Sequence, residues 1–418
     1  MLSHWIWLST RPHVSDRMKL ELMRRFQSPE EIYYADADSF FHIGGLTPEA
    51  VSALADKDLK EAESILYTCR RKDIRILTYQ DAAYSARLKN IADPPLVLYY
   101  KGILPDFDGS AMIGVVGTRE ASAYGMKTAK KMGYQIARCG GIVVSGMACG
   151  IDGMATRGAL AASAPAVGIL GCGVDVVYPA SNRDLFADME RFGCLLSEFI
   201  PGTPPLARNF PKRNRLISGL SCGVLVVEAP EKSGALITAQ AALEQGRDVF
   251  VVPGNIDVDT CVGSNRLLRD GAMPVSSGWD IMSEYAQQFP GQIRECDALL
   301  PQEGENLRSA FATRPEKTQP KVAQKAKLFG KDTHSKQNEK KIVIDNGDAS
   351  PYSDQEDRRP PLLPEEQKIV SVLTYEPRLI DDVLAETGLP SARMLSVLTL
   401  LQVKGIVKQH PGNYISLA

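Results

Sequence analysis

The glycine-rich, apolar middle of this chain contains no histidine. The 418 residues include five histidines, all towards the two ends: His4, His13, His42, His334 and His410. The stretch from about residue 105 to residue 285 therefore has no histidine general base, no Ser-His-Asp triad and no histidine-ligated metal. This absence disfavours hydrolytic chemistry, and we predict neither a catalytic residue nor a metal or cofactor.

Metal-binding cysteine pairs and export signals are missing as well. None of the eight cysteines forms a Cys-x-x-Cys pair, which argues against a zinc ribbon and a thioredoxin-type motif, so we interpret them as reduced, mostly buried thiols. No apolar run is long enough to span a bilayer, and residues 1–10 lack the basic leader of a signal peptide. We therefore expect a cytoplasmic protein that does not contact the membrane.

The common nucleotide-binding fingerprints are also absent. No G-x-G-x-x-G follows the first apolar strand of the central region, and no G-x-x-x-x-G-K-[ST] occurs anywhere in the chain. Dinucleotide binding and ATP hydrolysis are therefore disfavoured. The net charge of −2 excludes an overall polycation, so any binding of nucleic acid must come from a local patch.

Short apolar runs alternate with helical segments in this middle region. Six runs are too short for a helix interior and are typical of buried strands: residues 111–117, 141–145, 166–170, 194–197, 223–227 and 249–252. Helices fit the intervals at residues 122–139, 152–162, 182–192 and 235–245. The alternation predicts a mostly parallel sheet with helices on both faces, in which ligands bind beyond the carboxyl ends of the strands.

A basic cluster marks one helix start in the same region. Lys212, Arg213 and Arg215 lie within four residues, and such close like charges repel one another unless anions are near. Helix starts already attract anions through free N–H groups and the helix dipole. Because glycine turns follow several strands and one of them carries Arg119, we expect a groove for a polyanion, which single-stranded nucleic acid fits better than one nucleotide. Phe210 either stacks a base there or packs in the core under the helix start, and the core position is favoured.

Short motifs follow one another through the central region in a fixed order. They are residues 114–119, 122–125, 145–152, 178–179, 197–198, 210–215, 233–238 and 252–254. The series resembles the DNA-processing protein A family, also called Smf, over about residues 85 to 285. The resemblance implies an extended Rossmann-like fold that binds single-stranded DNA, forms a homodimer and helps load the RecA recombinase during natural transformation, with no catalytic activity.

The same resemblance implies which residues contact DNA. Arg119 and the cluster at residues 212–215 would line a phosphate groove, and Ser145 and Gly146 would supply backbone contacts. The predicted DNA-binding set is Gly117, Arg119, Ser145, Gly146, Phe210, Lys212, Arg213, Asn214 and Arg215.

Composition divides the chain into four predicted parts. An N-terminal helical domain of the SAM or helix-hairpin-helix type occupies residues 1–84, and the Rossmann-like DNA-binding domain occupies residues 85–285. A polar segment at 286–361 is predicted to be a disordered linker, and a winged-helix domain follows at 362–418. In that domain acids such as Glu365 and Asp381 offset the bases, so protein contact or weak DNA contact is favoured over reading of a duplex.

Two other classes of function remain open on the sequence. One is an enzyme resembling the nucleotide phosphoribohydrolases, in which Glu228, Thr238 and Glu244 would supply the acid and binding groups. Against it, that family's Pro-Gly-Gly-x-Gly-Thr-x-x-Glu run is missing. The other is a regulator whose winged helix binds an operator and whose sheet senses a ligand.

Overall fold

The chain folds as two units, Met1–Pro320 and Lys321–Ala418, each of which is described by itself. The computed structural model describes residues 1–41, 43–296, 364–374, 378–387, 397–398, 401, 406–410 and 414–417. The predicted linker lies outside the described residues beyond residue 296. The four predicted boundaries stay a prediction.

Six helices open the first unit. They are α1 (Leu2–Thr10), α2 (Asp16–Phe26), α3 (Pro29–Tyr34), α4 (Asp38–Phe41), α5 (Pro48–Ala55) and α6 (Lys60–Arg71). Hydroxyl side chains begin three of them, because Ser15, Ser28 and Thr47 each accept a hydrogen bond from a first-turn N–H group. The helices enclose a core with fully buried residues such as Trp7 and Ile32.

A nine-stranded sheet forms the centre of this unit. Its strands are β1 (Arg75–Thr78), β2 (Val97–Gly102), β3 (Met112–Val116), β4 (Ile142–Ser145), β5 (Ala166–Ile169), β6 (Cys194–Ser197), β7 (Gly223–Val226), β8 (Asp248–Val251) and β9 (Met273–Pro274). The spatial order is β1-β2-β6-β5-β4-β3-β7-β8-β9. Neighbouring strands from β6 across to β9 are parallel, and β1 and β2 pair antiparallel at one edge. The predicted mostly parallel sheet is confirmed, and it begins with β1, before the predicted boundary at residue 85.

Helices cover both faces of the sheet. They are α7 (Ala86–Lys89), α8 (Ala123–Arg138), α9 (Ile151–Ala161), α10 (Arg183–Phe192), α11 (Asn209–Leu220), α12 (Gly234–Glu244), α13 (Val262–Arg269) and α14 (Gly278–Met282). Side chains alternate between the faces along β3: Ile113 and Val115 pack with residues of α8 and α9, whereas Met112 and Val116 pack with residues of α11 and α12. The chain reverses direction across the sheet between β3 and β7, so a crevice opens there at the carboxyl ends of the strands.

The second unit contains α15 (Pro364–Val372), β10 (Arg378–Leu379), α16 (Ile380–Thr387), β11 (Val407–His410) and β12 (Tyr414–Leu417). Its strands pair antiparallel in the order β10-β12-β11. Ile369, Val383, Leu401 and Ile415 are buried in its core. Among the residues that the structure describes in either unit, no helix combines the length and apolar character that crossing a membrane requires.

Candidate functional site

A cleft of about 530 Å³ lies at the point where the strand order reverses. The loop after β3, the start of α11 and the loop that leads into α12 form its walls. Residues from all three lie along it, including Gly117, Arg119, Phe210, Arg213, Asn214, Lys232, Ser233 and Thr238. Five of the predicted DNA-binding residues therefore share one cavity.

Helix starts point at this cleft from more than one side. Neither α9 nor α11 has a side-chain hydrogen bond that caps its first turn. Asp152 lines the cleft from the first turn of α9, and Phe210 lines it from the first turn of α11. The N–H groups of Ile151 and Gly153 in α9 and of Asn209 and Phe210 in α11 already donate to loop carbonyls. These first turns therefore contribute the positive end of the helix dipole, which favours anions in the cleft apart from its cations.

An aromatic ring and a guanidinium group stand together in the wall. The Arg119 guanidinium carbon lies 5.1 Å from the centroid of the Phe210 ring, and the Tyr178 ring centroid lies 5.6 Å from the same ring. Arg119 is exposed, and Phe210 is half-buried. Phe210 also packs closely over Gly171, where an added Cβ would come within 2.8 Å of the ring. One part of the ring therefore packs inside the protein and another lines the cleft.

Arg213 is buried beneath the cleft, with 3% of its surface exposed. Its Nη1 donates to the carbonyl of Gly146 at 2.7 Å and to that of Ile169, and its Nε donates to Asn214 Oδ1 at 3.2 Å. Burial lowers the pKa of Arg213 to about 10, so the guanidinium is still charged at neutral pH. Burial also raises the pKa of the neighbouring Asp152, and the charge of Arg213 opposes that rise. Arg213 thus joins the loop after β4 to the end of β5 and places a fixed positive charge under the cleft.

Ser145 and Gly146 lie in the same buried layer. Ser145 is fully buried, and its hydroxyl donates to the carbonyl of Val115 at 2.7 Å. A Cβ on Gly146 would lie 2.5 Å from Asp152 Oδ2 and 2.6 Å from Arg213 Nη2, so only glycine fits there. Both residues support the floor of the cleft from below. Their predicted contact with DNA stays a prediction.

Lys212 and Arg215 face away from the cleft towards the N-terminal helices. Lys212 Nζ lies 3.2 Å from Asp16 Oδ2 in α2, and Arg215 pairs with Glu198 and, at 3.8 Å, with Asp93. Lys212, Asp16 and Glu198 line a second, smaller cavity of about 120 Å³. We call this group of five charged residues the junction cluster.

The junction cluster shifts the titration of its acids in opposite directions. Burial raises the pKa of Glu198, even though Arg215 and Lys212 oppose it. Burial alone would raise the pKa of Asp16 too, but Lys19 and Lys212 outweigh that effect and lower it. Two of the predicted phosphate ligands are therefore engaged with acids, and their role in DNA binding stays a prediction.

Several cleft residues lie outside the predicted set, among them Tyr178, Asp152 and Lys232. Tyr178 and Asp152 lie within the recognised motifs, and Lys232 is an exposed cation in the turn before α12. A strand end followed by a glycine turn is the signal that locates Lys232, although a single lysine in a loop has no pattern of its own. Glu120, also exposed, adds one negative charge to the lining beside Arg119.

Glu228 holds the loop that carries Arg119 in place. This residue is 1% exposed, and its carboxylate accepts hydrogen bonds from the Ser122 N–H at 3.0 Å and from the Thr260 hydroxyl. Its backbone carbonyl accepts from the Thr118 N–H at 2.7 Å. Glu228 is thus a positioning residue behind the cleft and not part of the lining.

The matched family models account for most of the described structure. A model described as DNA recombination-mediator protein A matches residues 75–286, from β1 through α14. A second model, described as the DprA winged helix domain, matches residues 353–413.

The chain belongs to the DNA recombination-mediator protein A family. The DNA processing protein DprA of Bacillus subtilis is 41% identical over 224 residues, which cover 54% of this chain and 75% of that relative. Protein Smf of Synechocystis is 34% identical over 346 residues, covering 82% of this chain and 80% of the relative. The X-ray structure of DprA from Streptococcus pneumoniae has a TM-score of 0.61 and 31% identity, covering 68% of this chain and 98% of that one.

Membership of the DNA recombination-mediator protein A family confirms the resemblance seen in the motifs. It also confirms the predicted fold class: an extended Rossmann-like sheet, a helical N-terminal region and a C-terminal winged helix. Within the predicted winged-helix domain, residues 388–396, 399–400 and 402–405 lie outside the described residues.

Proposed function

We propose that this chain binds single-stranded DNA in the cleft, protects incoming DNA and helps load the RecA recombinase during natural transformation, acting as a cytoplasmic homodimer without catalytic activity. The observation that carries the proposal is the wall of the cleft. There an exposed guanidinium group lies over a half-buried ring, above a buried arginine and uncapped helix starts. The guanidinium group and the positive ends of the helix dipoles suit phosphates, and the ring suits an unstacked base.

The size and chemistry of the cleft favour a single strand over a duplex. A cavity of about 530 Å³ matches a small ligand or a nucleotide or two, and is far too narrow for a double helix. Bases that can stack on Phe210 and Tyr178 are available only where they are unpaired. The overall charge of −2 also limits attraction to DNA to local patches of this kind.

The phosphoribohydrolase alternative lacks a convergent acid. Glu228 is buried and engaged by the Ser122 N–H and the Thr260 hydroxyl. Glu244 lies at the far end of α12, exposed and hydrogen-bonded to Gln240 at 3.0 Å. Thr238 donates its hydroxyl to the carbonyl of Gly234. The proposed acids are therefore held apart, which supports a binding role for the cleft.

The operator-binding alternative has little support in the described part of the winged helix. Arg378 is held by the carboxylate of Glu386 at 2.8 Å and 3.1 Å. Asp382 and Glu386 are exposed on the same helix. These charges favour contact with a protein over contact with a DNA backbone.

A titration of the full chain with labelled single-stranded and duplex DNA across a range of salt concentrations tests the proposal. We expect tighter binding to the single strand and an affinity that falls with salt, by about 0.7 log units per log unit for each phosphate contact. Equal or stronger binding of the duplex would overturn the proposal. So would release of free base from nucleoside monophosphates in a parallel assay.

Two further measurements address the partners. Light scattering of the purified chain should give the mass of a homodimer, and a strand-exchange assay should show faster RecA filament formation on DNA coated by a single-strand-binding protein. A monomer at micromolar concentration would contradict the first part, and an unchanged rate would contradict the second.

A further inference from the structure

We propose that a strand held in the cleft continues along the exposed side of α8, over Tyr124, Lys127 and Lys131. This inference rests on the proposed function, because it assigns the path of the same ligand beyond the cleft. The path is called the α8 stripe below.

α8 carries several cations and no acid. Its sixteen residues carry four cations, Lys127, Lys130, Lys131 and Arg138, and no acid. The chain as a whole is slightly acidic, with a net charge of −2. A helix with cations and no acid gives its exposed surface a positive potential.

The lysines of α8 are not neutralised by neighbouring side chains. Within the residues that the structure describes, Lys127, Lys130 and Lys131 have no salt bridge to an acid. Cations on other elements do have one: Arg25 in α2 pairs with Glu21, and Lys101 in strand β2 pairs with Glu190. The α8 stripe thus has charge available for an outside anion.

The helix dipole disfavours the charge of Lys127 when no ligand is bound. The first turn of α8 contains no acid, and Lys127 follows in the second turn, close to the positive end of the dipole. The dipole disfavours a cation there in the free protein, whereas a bound phosphate reverses the sign of the effect.

The stripe is continuous with the cleft. Arg119 lines the cleft, and Ser122, three residues later, caps the start of α8. Tyr124 is 57% exposed, and Lys127 and Lys131 are exposed at spacings of three and seven residues from it, on one side of the helix. From Tyr124 to Lys131 the helix rises about 10 Å, which is room for a phosphate at each lysine.

The cleft by itself is too small for the whole ligand. Its volume of about 530 Å³ takes a nucleotide or two, whereas single-strand-binding modules typically cover about 4–16 nucleotides. A strand must therefore leave the cleft. Next to the loop that carries Arg119, the α8 stripe offers an exposed ring and cations that have no acidic partner among the described residues. Exposed aromatic rings alternating with cations are the usual platform for a single strand.

The test uses the full chain with Lys127→Ala and Lys131→Ala together, and Tyr124→Ala alone. We expect the double variant to bind a strand of about 20 nucleotides on the order of tenfold more weakly, with a salt slope lower by about 1.4, since each lost single-strand phosphate contact removes about 0.7. Binding of a strand of about two nucleotides, which fills only the cleft, should be unchanged. Tyr124→Ala should weaken binding of the long strand by about tenfold, and less so when the strand carries abasic sites.

A matched control is available on α6. Tyr67 is 62% exposed there, with Arg71 over its ring at 5.8 Å and Arg70 exposed beside it, but Glu61 and Glu63 lie on the same helix. Arg70→Ala with Arg71→Ala removes the same charge from a comparable aromatic surface. We expect its affinity and salt slope to stay at the wild-type values for both strand lengths.

The inference and the proposed function fail in different ways. If Arg119→Ala weakens binding of both strands while the α8 double variant matches the control, the path along α8 is wrong and the cleft stands. If the α8 variants weaken the short strand as much as the long one, the stripe acts only through the cleft and the inference is also overturned. If the wild-type chain binds no single strand at all, the proposed function itself fails.

Discussion

The basic run at the start of α11, Lys212 to Arg215, has two chemically different surroundings. Towards the cleft, Arg213 is buried and bonded to carbonyl groups, and Phe210 lies under the exposed Arg119. Towards the N-terminal helices, Lys212 and Arg215 are paired with acids of the junction cluster. Successive residues of a helix are rotated by about 100°, so neighbouring cations necessarily point to different surroundings.

A run of cations in the sequence therefore does not show which of them line the cleft. Of the three cations in the run, one supports the cleft from below and two join the helix to other parts of the unit. The exposed cations at the cleft, Arg119 and Lys232, come from two separate loops. Each of the following changes tests one side of α11 against the other.

The largest expected effect comes from Arg213→Met. Removing the guanidinium leaves the buried carboxyl of Asp152 without its compensating charge, so we expect the free energy of unfolding to fall by about 3–5 kcal/mol. Urea denaturation measures the change. Because the pKa of Asp152 is already raised by burial and rises further without Arg213, the deficit should shrink as the pH is lowered and grow as it is raised.

Asp152→Asn in the same background is the control for this prediction. The double variant should be more stable than Arg213→Met alone at neutral pH, since no charge is then left buried. A folded Arg213→Met variant with the stability of the wild type would show that the charge of Arg213 does not compensate the buried carboxyl of Asp152.

The second effect concerns Arg119→Ala, on the exposed part of the cleft. We expect single-strand affinity to fall by about 1–2 kcal/mol and the salt slope by about 0.7, with the midpoint of thermal unfolding unchanged. Phe210→Leu should lower the affinity without changing the slope, because it removes stacking and no charge. An equal loss of slope in both variants would contradict this division of roles.

The third and smaller effect is on the junction side, in Lys212→Ala. We expect little change in single-strand affinity and a loss of unfolding free energy of at most about 1 kcal/mol, since Lys212 is half exposed and its pair with Asp16 is screened. A fall in affinity comparable to that of Arg119→Ala would show that Lys212 contacts the bound DNA.

Acid titration gives this prediction a second measurement. The pKa of Asp16 is lowered in the folded chain, so its contribution to stability is present above its ordinary pKa of 3.8 and is lost as the pH falls through the lowered value. The difference in unfolding free energy between the wild type and Asp16→Asn should therefore be present above pH 3.8 and disappear as the pH falls through the lowered pKa of Asp16. A difference that persists at the acid end would mean that packing at the junction, and not charge, provides the stability.

The smallest effect is expected from Glu120→Gln. This exposed acid lies in the lining of the cleft next to Arg119. Removing its charge should tighten single-strand binding by about 0.5 kcal/mol at low salt and by less at high salt, because exposed charges are screened. Weaker binding of the variant would mean that Glu120 orients Arg119 instead of repelling phosphate.

Much of the central fold was predictable because its determinants are local. Runs such as Ile142–Ser145 are apolar throughout, since parallel strands are buried on both faces, and glycine turns end them. The predicted helix at 122–139 matches α8 within a residue at each end, because Ser122 caps it. These signals fixed where the cleft opens, and Gly117, Arg119 and Phe210 were found from them.

What escaped prediction depends on contacts between distant segments. The binding of phosphate by Lys212 stays a prediction, but its pairing with Asp16 could not be predicted, because Asp16 belongs to a helix at the start of the chain. The backbone contact of Ser145 with DNA also stays a prediction, and the hydrogen bond from its hydroxyl to a carbonyl of the neighbouring strand was not predicted. No spacing within the sequence records such pairings, and only the fold determines which cations remain free.

The carboxylate of Glu228 can hold the loop that carries Arg119 only after the later part of the chain has been synthesised. It joins the Ser122 N–H, 106 residues before it, to the Thr260 hydroxyl, 32 residues after it. During synthesis the loop that carries Arg119 leaves the ribosome long before Glu228 and Thr260 have been added. A nascent chain that ends before Glu228 therefore lacks the hydrogen bonds that hold this loop in place. Competence to bind is thus acquired only once nearly the whole sheet has been made.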